Sequence, residues 1–194
     1  MKKIVVGISG ASGTIYGIRL LEVLHAMADV EVHLVMSRWA KENLAIEQTQ
    51  YNETQVKSLA DVTYSDQDLG AAIASGSFIH DGMVIVPASM KTIATVATGI
   101  GENLIARAAD VTLKEQRQLI VVPRESPFNQ IHLENMLKLS KMGVAVIPPI
   151  PAFYNHPKTI DDIINHTIMK ILDSLRLENT VSARWEGLGH ARQR

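Results

Sequence analysis

Short apolar runs recur along the chain, each stopped by a turn signal and separated from the next by segments of helical period. They are Lys3–Ile8, Glu31–Met36, Met83–Val86, Leu119–Val122 and Val144–Ile147. Runs this short and this continuous fit strands buried on both faces, which is the signature of a parallel sheet. The gaps hold helix candidates: Ile15–Met27, Arg38–Ala45, Thr54–Leu59, Ser89–Thr98, Asn103–Glu115, Ile131–Lys141 and Ile160–Leu177. Thr159, followed by Asp161 and Asp162, reads as the cap and acidic first turn of the last helix. Alternation of this kind predicts an α/β fold with a mainly parallel sheet.

A chain of 194 residues, 46% hydrophobic and 20% charged, can bury one full core. With no repeat and no linker, one domain is expected over 1–178. Residues 179–194 lack sustained periodicity and read as a C-terminal tail, which a neighbouring subunit could order. A net charge of -1 argues against nucleic acid as a partner. The absence of cysteine excludes disulfides and thiolate zinc sites. The histidines, from His25 to His190, show no ligand spacing, so no metal is expected. The apolar start Ile4–Val6 is too short for a signal-peptide core or a membrane span. A cytoplasmic protein with no membrane partner is the expectation.

The first strand runs into Gly7-Ile8-Ser9-Gly10-Ala11-Ser12-Gly13 and then a helix. Glycines let backbone approach a ligand, and a helix N-terminus offers free N–H groups to a phosphate. The spacing is Gly-x-x-Gly-x-x-Gly rather than the dinucleotide Gly-x-Gly-x-x-Gly. The second strand ends in Met36-Ser37-Arg38, without the acid that would hold a dinucleotide ribose. A mononucleotide such as FMN therefore fits better than NAD, although a plain tight turn would look the same. After Met83–Val86 comes Pro87-Ala88-Ser89-Met90-Lys91-Thr92, with Ser89 as an N-cap. Lys91 in the first helical turn opposes the helix dipole, a cost that a bound anion would offset. Arg107 and Lys114 on the next helix could serve a ligand or be a solvated face.

Beyond Leu119–Val122 the chain breaks at Pro123 and delivers Arg124 and Glu125 side by side. Ligands of open α/β sheets sit beyond the carboxyl ends of the strands, so a cation and a carboxylate stand where substrates bind. Glu125 could equally pair with Arg124 or cap the following helix. His132 reads as structural or as a contact to that turn.

Gly10-Ala11-Ser12-Gly13, Ser37, Ser75-Gly76-Ser77, Pro87-x-Ser89-Met90-Lys91-Thr92 and Asn103-Leu-Ile-x-Arg107-Ala-Ala-Asp110 follow one another along the chain. Leu113-Lys114-Glu115, Val122-Pro-Arg-Glu125, Ile131-His-Leu-Glu-Asn-Met136 and Pro151-x-Phe-Tyr154-x-x-Pro157 continue the series. In this order, over nearly the whole length, they resemble the UbiX-type flavin prenyltransferases, which include proteins named as phenolic-acid decarboxylase subunits. The resemblance implies a Rossmann-like three-layer αβα sandwich, assembled as a homododecamer with active sites at subunit contacts. It implies transfer of a dimethylallyl group from dimethylallyl monophosphate to reduced FMN, closing a fourth ring and releasing phosphate. The product would serve a UbiD-type decarboxylase. Gly10, Ala11, Ser12, Ser37, Ser89, Met90, Lys91, Thr92 and Arg107 would contact FMN. Tyr154 and Lys170 would bind the prenyl phosphate, with Arg124 and Lys114 nearby, and Ser12, Glu47 and Glu125 would handle protons. Two departures stand out. Ala88 replaces a frequent cysteine, and Lys170 replaces a frequent arginine, which exchanges a planar fork for a point charge.

The residue types suit that chemistry. Cations at the leaving phosphate supply fixed electrostatic stabilisation. A phosphate beside a carboxylate favours the protonated acid, which would suit Glu125 to general-acid work. No Asp-Asp-x-x-Asp run for magnesium and diphosphate is present; Asp161-Asp162 serves a helix start. Two rivals remain: a non-catalytic FMN-delivery subunit, and a flavin-dependent cysteine decarboxylase of the same fold. The second would need a histidine base, for which His80 stands very near its strand, and it wants Asn and Pro-x-Met-Asn motifs where this chain has Lys91 and Pro123-Arg-Glu.

Overall fold

A computed structural model of the chain describes residues 1–185 and 187. Its strands are β1 (Lys2–Ile8), β2 (Val30–Met36), β3 (Val62–Ser65), β4 (Gly82–Ala88), β5 (Leu119–Pro123) and β6 (Ala145–Val146). Its helices are α1 (Thr14–His25), α2 (Arg38–Glu47), α3 (Glu53–Lys57), α4 (Met90–Thr98), α5 (Leu104–Lys114), α6 (Gln130–Lys141) and α7 (Ile160–Ser174). The strands form one parallel sheet in the order β3-β2-β1-β4-β5-β6. This is the doubly wound order, α/β and Rossmann-like, with helices on both faces.

The continuous apolar runs have a simple outcome. Alternate residues of each central strand enter different cores. Ile4, Val6, Val84, Val86, Ile120 and Val122 pack with Ile18, Leu21 and Ile168 of α1 and α7. Val5, Met83, Ile85, Leu119 and Val121 pack with Ile93, Ile105 and Leu139 of α4, α5 and α6. β4 and β5 are buried along their whole length and β1 from Ile4 onward, so polar alternation does not develop there.

The expected elements are all present, with ends moved by up to three residues. The last helix stops at Ser174 rather than Leu177, because Arg176 takes the left-handed conformation (φ 55°) and turns the chain out of the helix. One strand was not expected. Val62–Ser65 pairs with β2 at the sheet edge and is half-buried only on alternate residues, so it carries no apolar run. No described helix is long and apolar enough to cross a membrane. Beyond α7 the chain folds back on that helix: Asn179 and Arg184 both bond the Asp173 carboxylate. His190 and the other residues beyond 187 lie outside the described residues.

Candidate active site

β1 hands the chain to α1 on one face and β4 hands it to α4 on the other, so a crevice opens between their carboxyl ends. Ser9 ties the two loops together. Its hydroxyl donates to the Pro87 carbonyl (2.9 Å) and accepts from the Ser89 N–H (2.8 Å), and it is almost fully buried. Around this staple three helix N-termini converge. Ser37 caps α2 by accepting from the Ala40 N–H, and Ser89 caps α4 by accepting from the Thr92 N–H. The hydroxyls of Ser89 and Thr92 are 3.0 Å apart. Asn103 caps α5 through the Ala106 N–H.

These ends line a cavity of 360 Å³ whose walls include Gly10, Ser37, Trp39, Asp66, Ser89 and Lys91. That volume lies within the range of small-ligand sites. A Cβ on Gly10 would lie 2.3 Å from the Cβ of Trp39, so bare backbone is required where the loop meets α2. The Asp66 carboxylate accepts from the Ile105 N–H (3.3 Å). Burial raises its pKa, although that N–H and the charges of Lys41 and Lys91 act against the rise. Asp66 thus places a carboxylate of this chain at the positive end of α5. The ends of α2 and α4 carry no such acid and remain the better seats for an anion.

Glu47, Lys91 and Arg107 lie on the elements that border this cradle. Gly13, at φ 95°, precedes α1 and has no side chain to cap it. Glu47, from the last turn of α2, caps it instead. Its carboxylate accepts from the N–H groups of Gly13 (3.0 Å) and Thr14 (2.9 Å) and from the Thr14 hydroxyl (2.8 Å). Burial pushes the Glu47 carboxyl up, but hydrogen bonds from Ser12, Thr14 and Gly13 outweigh it and hold the pKa below the ordinary value. Lys91 pairs with Glu102 at 2.8 Å, so an internal carboxylate already offsets the misplaced cation. Arg107, on the second turn of α5, pairs with Asp110 at 3.0 Å.

The loop after β5 lies against the same crevice, because the Arg124 N–H donates to the Ala88 carbonyl (3.1 Å), one residue before Ser89. Arg124 and Glu125 are both exposed and form no ion pair with each other among the described residues. Glu125 accepts from the Ser126 N–H, while Asn129 caps α6 with His132 closing the capping box. Both structural alternatives for Glu125 are therefore unrealised, and His132 is a capping residue.

Tyr154, Lys170 and Lys114 stand apart from the cradle. Tyr154 follows β6 and bonds His166 of α7, and Lys170 lies one turn further along α7 beside Pro148 and Asp173. Lys114 ends α5, paired with Glu115. α5 runs back from the carboxyl ends of the strands, and its 11 residues carry Lys114 about 15 Å from its start. The expectation that Lys114 lies near Arg124 therefore does not hold within one chain. His80 is buried, 3.3 Å from the Thr112 hydroxyl, and it precedes β4, at the end of the sheet opposite the cradle. The decarboxylase rival loses its base. Sequence reasoning missed Ser9, Trp39, Asp66, Glu102 and His166. Asp66 follows the strand that had no apolar signal, and the others become distinctive only through their partners.

The flavoprotein family model matches residues 1–172. The chain is 65% identical over 187 residues to the flavin prenyltransferase LpdB of Lactiplantibacillus plantarum, covering 96% of this chain and 100% of that protein. It is similar to a dodecameric FMN-dependent UbiX-like decarboxylase from Escherichia coli O157:H7, known from its crystal structure (51% identity, TM-score 0.93, 95% of this chain and 100% of that one). It is also similar to AnUbiX, solved in complex with FMN and dimethylallyl pyrophosphate (42% identity, TM-score 0.93, 96% and 98% covered).

Proposed function

The chain belongs to the flavoprotein family as a UbiX-type flavin prenyltransferase, and on that footing we propose that it moves a dimethylallyl group from dimethylallyl monophosphate to reduced FMN. Phosphate leaves, and the prenylated flavin passes to a UbiD-type decarboxylase in the cytoplasm. The observation that carries this reading is the crevice where Ser9 locks the β1 and β4 loops, with the capped ends of α2 and α4 opening into it.

Those residues fit a flavin mononucleotide. The hydroxyls of Ser37, Ser89 and Thr92 and the N-termini behind them suit its phosphate, and the bare backbone at Gly10 and Ala11 suits close approach of its chain. Met90, Lys91 and Arg107 complete the flavin contacts. Reduced FMN supplies the electron-rich ring that accepts the allyl group.

The chain's own groups supply the rest. Glu47, whose carboxylate is stabilised by its hydrogen bonds, keeps the 12–14 loop in place and accepts a hydrogen bond from Ser12, which orients that hydroxyl for proton relay. Glu125 delivers or receives protons at the open side of the crevice. Tyr154, Lys170, Arg124 and Lys114 bind the leaving phosphate as donors and cations. Since one chain does not bring these four together, copies of the chain complete the site. A dodecameric relative supports such an assembly.

The test is anaerobic incubation of the purified protein with reduced FMN and dimethylallyl monophosphate, followed by mass spectrometry of the flavin. A flavin heavier by one dimethylallyl unit, with phosphate released, is expected. Tightly bound but unmodified FMN, with the monophosphate and the diphosphate alike, would leave only a carrier role.

A further inference from the structure

Tyr154, read above as a ligand of the donor phosphate, has a partner that no part of that reading uses. Its hydroxyl lies 2.8 Å from Nε2 of His166. His166 is 8% exposed and Tyr154 46%, so the pair runs from the interior of the chain to its surface. The tyrosine ring is held edge-on from two sides, by His166 (centroids 5.7 Å apart, planes at 80°) and by Trp185 (5.8 Å, 82°). Trp185 is itself anchored through its neighbour Arg184, which grips Asp173. Lys170 follows His166 by one helical turn and so shares its face of α7.

This arrangement poses a question of hydrogen direction. A tyrosine hydroxyl has one hydrogen. If Nε2 of His166 accepts it, only oxygen lone pairs face outward, and these repel a phosphate. If Nε2 carries a hydrogen and donates, the tyrosine hydrogen is released to point outward. Burial, and then the nearby Lys170 charge, lower the His166 pKa and so favour the neutral ring, whose single hydrogen can sit on either nitrogen. A phosphate anion in front of Tyr154 selects between the two.

We propose that His166 is a positioning residue for the donor phosphate: with its hydrogen on Nε2 it donates to the Tyr154 oxygen, freeing the Tyr154 hydroxyl to donate to the phosphate beside the Lys170 ammonium. The inference rests on the reading of Tyr154 as a phosphate ligand. It gives the pair a polarity set from inside the fold.

The test compares Tyr154→Phe, His166→Leu, His166→Gln and the double variant Tyr154→Phe/His166→Leu in the full chain. The readouts are kcat and KM for dimethylallyl monophosphate at saturating reduced FMN, with FMN affinity measured separately. Tyr154→Phe is expected to raise KM roughly tenfold, the usual effect of losing a hydrogen bond to a charged group. His166→Leu should raise KM similarly while FMN affinity stays unchanged. His166→Gln, whose amide N–H can reach the same oxygen, should restore most of the loss. The double variant should be no worse than Tyr154→Phe alone. If His166→Leu does not fold, His166→Asn, too short to reach the hydroxyl, takes its place with the same raised KM expected. Should the His166 and Tyr154 effects multiply, or Gln fare as badly as Leu, the positioning role is wrong while the Tyr154 reading stands. An unchanged KM in Tyr154→Phe would remove both.

Discussion

Glu47 shows how a single side chain can hold a loop that cannot hold itself. Gly13 supplies the left-handed turn that the 9–13 loop needs, but a glycine has no side chain to cap α1. The carboxylate arriving from the end of α2 replaces that cap and gathers two backbone N–H groups and a hydroxyl. Replacing it by Gln keeps the shape but removes the charge and turns half the group into a donor facing donors. Glu47→Gln is expected to cost about 1–2 kcal/mol at neutral pH, the scale of a lost cap or charged hydrogen bond, and to weaken FMN binding. The pH dependence carries the sign of the shift. The folded-state pKa is depressed, so the stabilisation is complete above the ordinary carboxylate range and is lost as pH falls through the folded value. Urea titrations of parent and variant should therefore differ at pH 7 and converge in acid. A constant gap down to pH 3 would mean that packing, not charge, carries the effect. None of this is readable from Glu47 itself, which lies in a polar stretch 34 residues from Gly13. The resemblance placed it at the site; only the fold shows which atoms it meets.

The central strands were legible because burial on both faces leaves little room for polar residues: β4 and β5 are apolar throughout, and β1 and β2 become so from Ile4 and Leu34 onward. β3 was not, since an edge strand of Val-Thr-Tyr-Ser needs neither face fully apolar. That omission hid Asp66, which the same strand delivers to the crevice. Packing between elements was equally silent. Gly17 reads as an ordinary weak point in a helix, yet it lets α1 lie directly on β4. A Cβ there would sit 2.7 Å from the Val86 carbonyl oxygen and 3.0 Å from Cδ1 of Ile8. Helix propensity favours Gly17→Ala by at most about 1 kcal/mol. Forcing a helix off a sheet costs about 1–3 kcal/mol. The second effect wins because the obstruction is backbone and cannot rotate away. Gly17→Ala should lower the thermal midpoint and weaken FMN binding, since Val86 precedes the Pro87–Ser89 turn. A midpoint equal to or above that of the parent would show that α1 can shift without loss.

Across the whole molecule, the predicted residues divide by where the sheet sends them. Ser12, Ser37, Ser89, Arg124 and Glu125 lie at the carboxyl ends of strands, whereas Lys114 sits at the far end of a helix that runs away from them. If Lys114 serves the reaction, it serves the crevice of another copy. Two inactive variants then become complementary. Glu125→Gln destroys the crevice of its own chain but still lends a good Lys114, and Lys114→Ala does the reverse. When the two chains assemble at random in equal amounts, a crevice from the Lys114→Ala chain meets a lysine from the Glu125→Gln chain in about a quarter of sites, by the statistics of a shared interface between identical subunits. Co-expressed variants should therefore regain about a quarter of the parent turnover, while the separately purified variants mixed without dissociation regain none. If Lys114 acted inside its own chain, every crevice would lack one residue or the other and co-expression would restore nothing. The experiment separates the two geometries because the rescue depends on which chain owns each residue, and not on how much either residue contributes.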